Sequence, residues 1–335
     1  MWIPRNPAHS SLFTVKPEWH CIDNNTKKVL CDLLGKKGEL YKLGCSDEDI
    51  AGHYKFLSDE SFFLKVLPDT HGTQLQEILK LEEWLYQNEA PVLPSVNNLK
   101  LHAGNNYTVT VYPYLEARFV TCSKADIKLI GTELSRLHKV LKSYPLADNI
   151  KDQNDKKINT LRKVLTEVKR KKHRDIPGSV QEVLTSAPDD FLDLLCIGNR
   201  QILHGDLNIG NILITENNSL VFVDYENSLH TYSSVLIDIA FLLERVVLNR
   251  CQDTVTESIS YFLEGYRANS DLWFESVSGL ADILQALSVR SMLLLTRKAS
   301  QNGIVSEREW EKFVDLYTNA DKIRLNSDLF TGAFA

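Results

Sequence analysis

Residues 201–226, QILHGDLNIGNILITENNSLVFVDYE, constrain the fold of this chain more than any other stretch. They contain two short apolar runs rich in β-prone residues, 212–215 and 220–223, separated by Glu-Asn-Asn-Ser. Asn and Ser favour turns because their side chains bond nearby backbone groups. The pattern predicts a β-hairpin with a four-residue loop.

The register of this hairpin decides which polar side chains meet at its open end. With four loop residues, Thr215 pairs with Leu220, and counting outward places Asn211 opposite Asp224. Asp206 lies five residues before Asn211, on the loop that enters the hairpin. We therefore expect three oxygen-bearing side chains to converge there.

These residue types suit phosphoryl transfer, because catalysis of that reaction consists mostly of positioning and charge neutralisation. Asp224 and Asn211 offer the hard oxygen ligands that Mg²⁺ prefers. Asp206 would orient and deprotonate an acceptor hydroxyl, and His204 would hold the loop by hydrogen bonds. The alternative, solvated caps on an ordinary hairpin, explains either end residue alone but not the whole pattern HxDxxxxN, two strands and Asp.

Composition excludes several other classes of protein. The 335 residues are 43% hydrophobic and 24% charged, as in ordinary globular proteins, and the net charge of −6 predicts no broad nucleic-acid surface. No signal peptide and no run of about 20 apolar residues is recognisable, so we expect a cytoplasmic protein without membrane insertion. The six cysteines lack metal-ligand spacing and are expected to be reduced thiols.

The order of local patterns predicts two lobes. Runs 52–57 and 61–66 are β-prone and suit a hairpin, and residues 73–88 have the spacing of an amphipathic helix. After residue 116 long helical patterns dominate. We therefore expect a nucleotide-binding lobe over 1–115 and a catalytic and substrate-binding lobe over 116–335.

Two further stretches, EAPVLPSV at 89–96 and GTELSRLHKVL at 131–141, accompany HGDLNIGNIL. Together these motifs resemble the aminoglycoside phosphotransferase and choline kinase superfamily over about residues 40–316. The resemblance implies an α+β, bilobal protein-kinase-like fold. Its N-lobe would be an antiparallel sheet plus one helix, and its C-lobe would be mainly helical with a catalytic hairpin. ATP or GTP as co-substrate, Mg²⁺ and a small-molecule hydroxyl acceptor are also implied.

The resemblance further assigns residues around the phosphates. Lys65, in FFLKV, would be the strand lysine that contacts the α- and β-phosphates. Glu77, on the following helix, would be its ion-pair partner, with Glu82 as a competing choice.

The nucleotide base and the phosphate loop receive similar assignments. Tyr112 to Leu115 would be the hinge whose backbone bonds adenine, and Leu213 would lie beneath the base. The loop KLGCSDEDIAGHYKF has no GxGxxG, which departs from the pattern of related kinases and leaves the choice between ATP and GTP open. Ser46 is a candidate hydroxyl donor to the phosphates.

The acceptor pocket has no motif of its own. DYE at 224–226 resembles choline and ethanolamine kinases, and FLEGYRANSDL resembles homoserine kinases; amino sugars and aminoglycosides are further candidates. Tyr232, Tyr266 and Trp273 could offer ring faces to a cation or could be core aromatics. Glu226 could face the acceptor or cap a turn.

Three functional hypotheses follow. The first is a small-molecule kinase. The second, a kinase-fold regulatory module without turnover, is disfavoured by the intact Lys65, Asp206, Asn211 and Asp224. The third, an atypical protein kinase, is disfavoured because no activation segment separates Asp224 from the next helical pattern.

Overall fold

The protein is represented by a computed structural model, which describes residues 18–44, 50–69, 72–103, 105–171, 176–248, 250–251, 255–270, 278–301 and 303–325. Its backbone divides into two compact units. The first comprises Met1–Val120 and Ile209–Glu226, and the second comprises Thr121–Asn208 and Asn227–Ala335. The hairpin of residues 209–226 thus belongs to the first unit.

A six-stranded antiparallel sheet forms the first unit, in the order β1-β2-β3-β4-β6-β5. Its strands are β1 (Trp19–Cys21), β2 (Glu39–Leu43), β3 (Gly52–Leu57), β4 (Phe62–Pro68), β5 (Asn97–Ala103) and β6 (Asn105–Pro113). The predicted hairpin at 52–66 is confirmed as β3 and β4. The antiparallel N-terminal sheet of the expected fold is therefore present.

Strand alternation gives this sheet an apolar face and a mixed face. On β4, Leu64 and Val66 are fully buried in the core, where Leu30 and Val109 also lie. Lys65, between them, points to the opposite face. Each fully buried aliphatic side chain of this kind contributes about 2 kcal/mol, so the apolar face fixes the register that orients Lys65.

Among the described residues of the first unit, two helices accompany the sheet. The predicted helix at 73–88 is confirmed as α2 (Gly72–Gln87). The other helix, α1 (Asn24–Leu34), was not predicted. It begins at Asp23, whose carboxylate accepts hydrogen bonds from two backbone amides at 2.9 Å, and it ends at Gly35, which has φ of 64°.

The catalytic hairpin forms with a register one residue from the predicted one. Strands β9 (Ile212–Thr215) and β10 (Leu220–Phe222) pair with Leu220 opposite Ile214, not opposite Thr215. The prediction of a four-residue loop is wrong. Thr215 N donates to Ser219 O at 2.9 Å, so Thr215 pairs with Ser219 and three residues remain in the loop. Asn218 has φ of 60°, a left-handed conformation that Asn tolerates and that suits such loops.

The corrected register changes the open end of the hairpin. Asn211 lies opposite Val223, whose N donates to Asn211 O at 3.1 Å. Asp224 follows one residue later with φ of 72°, a left-handed conformation that interrupts strand alternation. The expected pairing of Asn211 with Asp224 across the hairpin is therefore wrong. A short strand, β7 (Ala117–Phe119), pairs with the other edge of β9.

The second unit is mainly helical, as expected. Its helices are α3 (Lys124–Leu141), α4 (Ala147–Arg170), α5 (Gly178–Ser186), α6 (Leu236–Leu242), α7 (Val255–Arg267), α8 (Ser278–Ser300) and α9 (Glu307–Leu325). Helices α3 and α7 pack at close range through Gly131 and Gly265. A Cβ atom on Gly131 would lie 2.1 Å from the Phe262 carbonyl oxygen, so only glycine permits this approach.

Two features of the second unit bear on the predicted cellular environment. Among the described helices, Gly279–Ser300 is long and apolar enough to cross a membrane by length and composition, but 72% of its apolar window is buried by the protein. That burial is typical of a core helix, so the feature is weak evidence for a membrane span.

Cys122 and Cys251 form a disulfide, with 5.5 Å between their Cα atoms. The expectation that every cysteine is a reduced thiol is therefore wrong for this pair.

Candidate active site

A cleft with an empty volume of about 770 Å³ opens on the mixed face of the first-unit sheet. Its lining includes aliphatic side chains such as Leu75, Ile78 and Leu93, together with a few polar groups. His53 and Lys65 lie side by side because they are paired residues of β3 and β4. An apolar cleft with few, clustered polar groups is the usual form of a small-molecule or nucleotide site.

Lys65 is the central cation of this cleft. Its side chain is 15% exposed, and its Nζ pairs with Asp224 Oδ1 at 3.2 Å and with the Glu226 carboxylate. Burial lowers the pKa of Lys65, but the two carboxylates outweigh that effect and hold the pKa above its usual value. Lys65 therefore stays charged, and the end of the hairpin supplies its partners.

The predicted ion pair between Lys65 and Glu77 is not among the ion pairs of the described residues, because Glu77 lies on the exposed side of α2. Glu82 lies on the buried side and lines the cleft. Tyr112 Oη donates to the Glu82 carboxyl group, at 3.2 Å from Oε2. Burial raises the pKa of Glu82 to about 8, although Lys65 and the Tyr112 hydroxyl oppose the shift.

The predicted base-binding residues also line the cleft. Tyr112, Leu115 and Leu213 all contribute to its wall. Burial raises the pKa of Tyr112 well above its usual value, and the nearby Glu82 carboxyl group adds to the effect. The Tyr112 hydroxyl therefore stays protonated and available as a hydrogen-bond donor.

Sequence reasoning missed His53, which lines the same cleft. Its ring stacks on Phe63, with 5.6 Å between the ring centroids and 20° between the planes. Burial lowers the pKa of His53 to about 3, and the positive charge of Lys65 adds to the effect. His53 is therefore neutral at physiological pH. Its position opposite Lys65 on the neighbouring strand was the signal that could have identified it.

The donor set at the end of the hairpin suits Mg²⁺. Asn211 is 2% exposed at the end of a 3₁₀ turn, Ile209–Asn211, and the Asp224 and Glu226 carboxylates both reach Lys65. No cluster of three or more His, Cys, Asp or Glu side chains that could hold a metal occurs within the described ranges. Mg²⁺ takes hard oxygen ligands, and the Asn211 amide and the Asp224 carboxylate offer oxygens of that type.

The loop that contains His204 and Asp206, which we call the catalytic loop after its predicted role, lies in the second unit, and the buried Asp238 carboxylate contacts its backbone. Asp238 accepts hydrogen bonds from the backbone N of His204 and of Gly205, each at 2.9 Å. His204 is fully buried, and Gly205 has φ of 79°. A Cβ atom on Gly205 would lie 2.6 Å from Thr231 Oγ1, so the loop requires glycine at this position.

Asp206 is buried, with 6% of the residue exposed. Its Oδ1 accepts from Asn208 Nδ2 at 3.1 Å, and its Oδ2 lies 3.5 Å from Asn227 Nδ2. Ser228 Oγ donates to the His204 carbonyl at 3.1 Å. The amide donors fix the Asp206 carboxylate, and the bond from Ser228 is made to the His204 backbone.

A second group of buried polar side chains supports Asp238. His138 Nε2 lies 3.1 Å from Asp238 Oδ2, and its Nδ1 lies 2.7 Å from the Tyr266 hydroxyl. Burial by itself would raise the pKa of Asp238, but hydrogen bonds and charge from His138, with the amide of Gly205, hold it below its usual value. His138 lies in the segment GTELSRLHKVL, but sequence reasoning did not identify its contact with Asp238.

The candidate acceptor residues have mixed outcomes. Tyr266 is 1% exposed and bonded to His138, so of the two alternatives for this residue the structure fits a core aromatic. Tyr232 already has the Arg200 guanidinium over its ring, 5.1 Å from the centroid. The Glu226 side chain is 45% exposed beside Lys65. Ser46 and Trp273 lie outside the described residues.

Comparison with known proteins defines the class of this fold. A family profile for the phosphotransferase enzyme family matches residues 52–273. Comparison with curated proteins gives no significant sequence match. Similar solved structures include the amicoumacin kinase hAmiN in complex with AMP-PNP, Ca²⁺ and Ami, with 17% identity, 91% of this chain and 90% of that chain covered, and a TM-score of 0.57.

Two other similar structures agree. The choline kinase LicA from Streptococcus pneumoniae has 17% identity, covers 90% of this chain and 97% of its own, and gives a TM-score of 0.56. Spectinomycin phosphotransferase APH(9)-Ia, in complex with ADP and spectinomycin, has 14% sequence identity. The match covers 91% of this chain and 98% of that chain, with a TM-score of 0.59. At these identities the similarity shows the fold.

The fold is that of the protein-kinase-like phosphotransferases, as the sequence motifs implied. The match over residues 52–273 covers more than half of the chain, so the chain belongs to the phosphotransferase enzyme family. It is a small-molecule kinase, a phosphotransferase with an alcohol group as acceptor.

Proposed function

We propose that this protein transfers the γ-phosphoryl group of ATP or GTP, with Mg²⁺, to a hydroxyl of a small amino-bearing metabolite. The observation that carries the proposal is the contact of Lys65 with Asp224 and Glu226 in the apolar cleft. A buried lysine beside two carboxylates supplies both a phosphate-binding cation and anionic oxygens for a metal.

In the proposed binding step, the base occupies the apolar part of the cleft beside Leu213, and backbone groups of Tyr112 to Leu115 bond its edge. Lys65 neutralises charge on the α- and β-phosphates. Asn211 and Asp224 would hold Mg²⁺, which would neutralise and orient the phosphate oxygens when bound.

In the proposed chemical step, Asp206 accepts the proton of the acceptor hydroxyl while that oxygen attacks the γ-phosphorus. A new O–P bond forms, the bond from the γ-phosphorus to the bridging oxygen breaks, and the nucleoside diphosphate leaves with the electron pair. The amide donors of Asn208 and Asn227 hold the Asp206 carboxylate, and Asp238 holds the loop backbone.

For the acceptor, we propose an amino alcohol, an amino acid with a side-chain hydroxyl, or an amino sugar. The support is the resemblance of DYE at 224–226 to choline and ethanolamine kinases and the similarity to structures of choline, amicoumacin and spectinomycin kinases. The exposed part of Glu226 is one anionic group that could attract an amine. We place the enzyme in the cytoplasm, where nucleoside triphosphates are available.

The experiment that tests this function is a metabolite screen for ATP and GTP consumption. It would use purified wild-type protein with Mg²⁺ and panels of amino alcohols, hydroxyl amino acids, amino sugars and aminoglycosides. We expect at least one panel to give turnover that disappears in Asp206→Asn and persists in Asp59→Asn, a matched change in an exposed turn.

Other outcomes of the screen separate the rival functions. Magnesium-dependent nucleotide binding without turnover of any acceptor would support a regulatory module and contradict the proposal. Phosphorylation of protein substrates in place of metabolites would support the atypical protein kinase.

A further inference from the structure

Four basic residues of the second unit lie on elements that pack together, and their charges act on one another. Lys157 lies on α4, and Arg290 and Arg297 lie two turns apart on α8, which packs against α4. Arg290 Nη2 donates to the His230 carbonyl oxygen at 3.1 Å. We call Lys157, His230, Arg290 and Arg297 the cationic cluster.

No ion pair of the described residues involves Lys157, Arg290 or Arg297, whereas two other cations of α4, Arg162 and Lys169, pair with Asp193 and Asp189. Two other arginines of the unit do form ion pairs with carboxylates. Arg200 pairs with Asp155, and Arg324 pairs with Asp282 at 2.5 Å. The cluster therefore concentrates positive charge that the surrounding fold does not neutralise.

The pKa values of three members of the cationic cluster are lowered. Burial lowers the pKa of Lys157 to about 8, and the positive charges of Arg290 and Arg297 add to the effect. Burial lowers the pKa of Arg290 to about 10. Burial, Lys157 and Arg290 all lower the pKa of His230. The attraction of a bound anion would offset both the mutual repulsion and the desolvation cost of these cations.

The position of the cluster links it to the catalytic loop. His230 ends the 3₁₀ helix Tyr225–His230. Within the same helix, Asn227 reaches Asp206 and Ser228 bonds the His204 carbonyl. Because a 3₁₀ helix rises about 2 Å per residue, the cluster begins only one turn from the residues that hold the loop.

We propose that the cationic cluster is a binding site for the phosphate group of a small molecule. Two guanidinium groups and an ammonium group match the several oxygens of a phosphate, and arginine binds such oxygens in a bidentate manner. The phosphate can be free, or it can be an anionic group carried by the acceptor substrate.

Calorimetric titration with inorganic phosphate at constant ionic strength tests the site. We expect wild-type protein to bind phosphate, and Lys157→Met and Arg297→Met to bind it at least tenfold more weakly. Lys156→Met, the exposed neighbour on α4, should bind like the wild type. Lys65→Met should also bind like the wild type, which separates this site from the nucleotide cleft.

A thermal unfolding measurement without phosphate adds an independent readout. Lys157→Met should raise the melting temperature by a few degrees, because it removes a partly buried ammonium that Arg290 and Arg297 repel, whereas Lys156→Met should not. Phosphate should then stabilise the wild type but not Lys157→Met. Equal phosphate affinity in the wild type and Lys157→Met, or no binding by the wild type, would overturn the proposal.

Kinetics with the acceptor identified by the screen distinguish the two sources of the phosphate group. If the acceptor carries it, Lys157→Met raises KM for the acceptor with little change in kcat, and phosphate competes with the acceptor. If a free anion binds, KM is unchanged and phosphate does not compete. Both results support the site, and the binding titration remains valid even if the proposed kinase activity fails.

Discussion

Glu82 in the first unit and Asp238 in the second are both buried carboxyl groups, with 3% and 0% of the residue exposed. Burial raises the pKa of Glu82 to about 8, whereas His138 and backbone amides hold the pKa of Asp238 below its usual value despite burial. The two groups therefore differ in charge at neutral pH although they are equally removed from water.

The difference lies in the donors that each carboxyl group receives. Asp238 accepts from two backbone amides at 2.9 Å and contacts His138, while the donor recorded for Glu82 is the Tyr112 hydroxyl. Directed hydrogen bonds keep a buried carboxylate charged; a single hydroxyl does not. Asp238 can thus act as a charged anchor for the catalytic loop, and Glu82 is largely a neutral group in the cleft.

The largest effect on this comparison should come from Asp238→Asn. The amide places a donor beside a backbone N–H and removes the charge, so we expect a loss of about 3 kcal/mol in the free energy of unfolding at pH 7. Urea unfolding measures it. Asp190→Asn, an exposed position in the same unit, is the control and should change stability little.

The pH dependence of Asp238→Asn sharpens the test. Because the folded-state pKa of Asp238 is lowered, its stabilising contribution is present above the usual pKa near 3.8 and is lost as pH falls through the folded-state pKa. The stability difference between wild type and variant should therefore shrink on acidification. A difference that stays constant from pH 7 to pH 3 would contradict a charged anchor.

Glu82→Gln should show the opposite pH dependence. The folded protein holds a proton on Glu82 that the unfolded chain releases above pH 4.5, so wild-type stability falls as pH rises towards 8. Relative to Glu82→Gln, the wild type should lose about 2 kcal/mol between pH 6 and pH 8. Urea unfolding at both pH values measures this change.

The exposed neighbour Glu83 provides the control for that measurement, since Glu83→Gln should leave the pH profile unchanged. Parallel profiles for wild type and Glu82→Gln would show that Glu82 is ionised in the folded state. The contrast between the two buried carboxyl groups would then fail.

The smallest effect should come from Tyr112→Phe. It removes one hydrogen bond to Glu82 and keeps the ring in the cleft, so we expect a loss of about 1 kcal/mol at pH 6. The apparent pKa of Glu82, followed by NMR, should rise further. A fall in that pKa would mean that the hydroxyl does not stabilise the carboxylate.

Local patterns were enough to predict the strands β3 and β4 and the helix α2. They failed where tertiary contacts decide the outcome. The partner of Lys65 could not be predicted from helix spacing, because Asp224 and Glu226 are brought to it from about 160 positions away along the chain. The hairpin register depended on the left-handed conformation of Asn218, which a loop of four residues would not need.

The Asp238 network shows the same limit. His138 and Asp238 are 100 positions apart, and their contact depends on the packing of the helices of the second unit. Both residues lie in segments that the sequence analysis could recognise, but only the fold shows that His138 contacts the Asp238 carboxylate. The cationic cluster likewise combines α4, α8 and a 3₁₀ helix that share no sequence pattern.

The most direct test of the central claim is the kinetics of Asp206→Asn with the acceptor found by the screen. The variant keeps the size of the side chain but lacks the base, so we predict that kcat falls by about 10³-fold while nucleotide affinity stays within about twofold of the wild type. Turnover at the wild-type level would contradict phosphoryl transfer with Asp206 as the base.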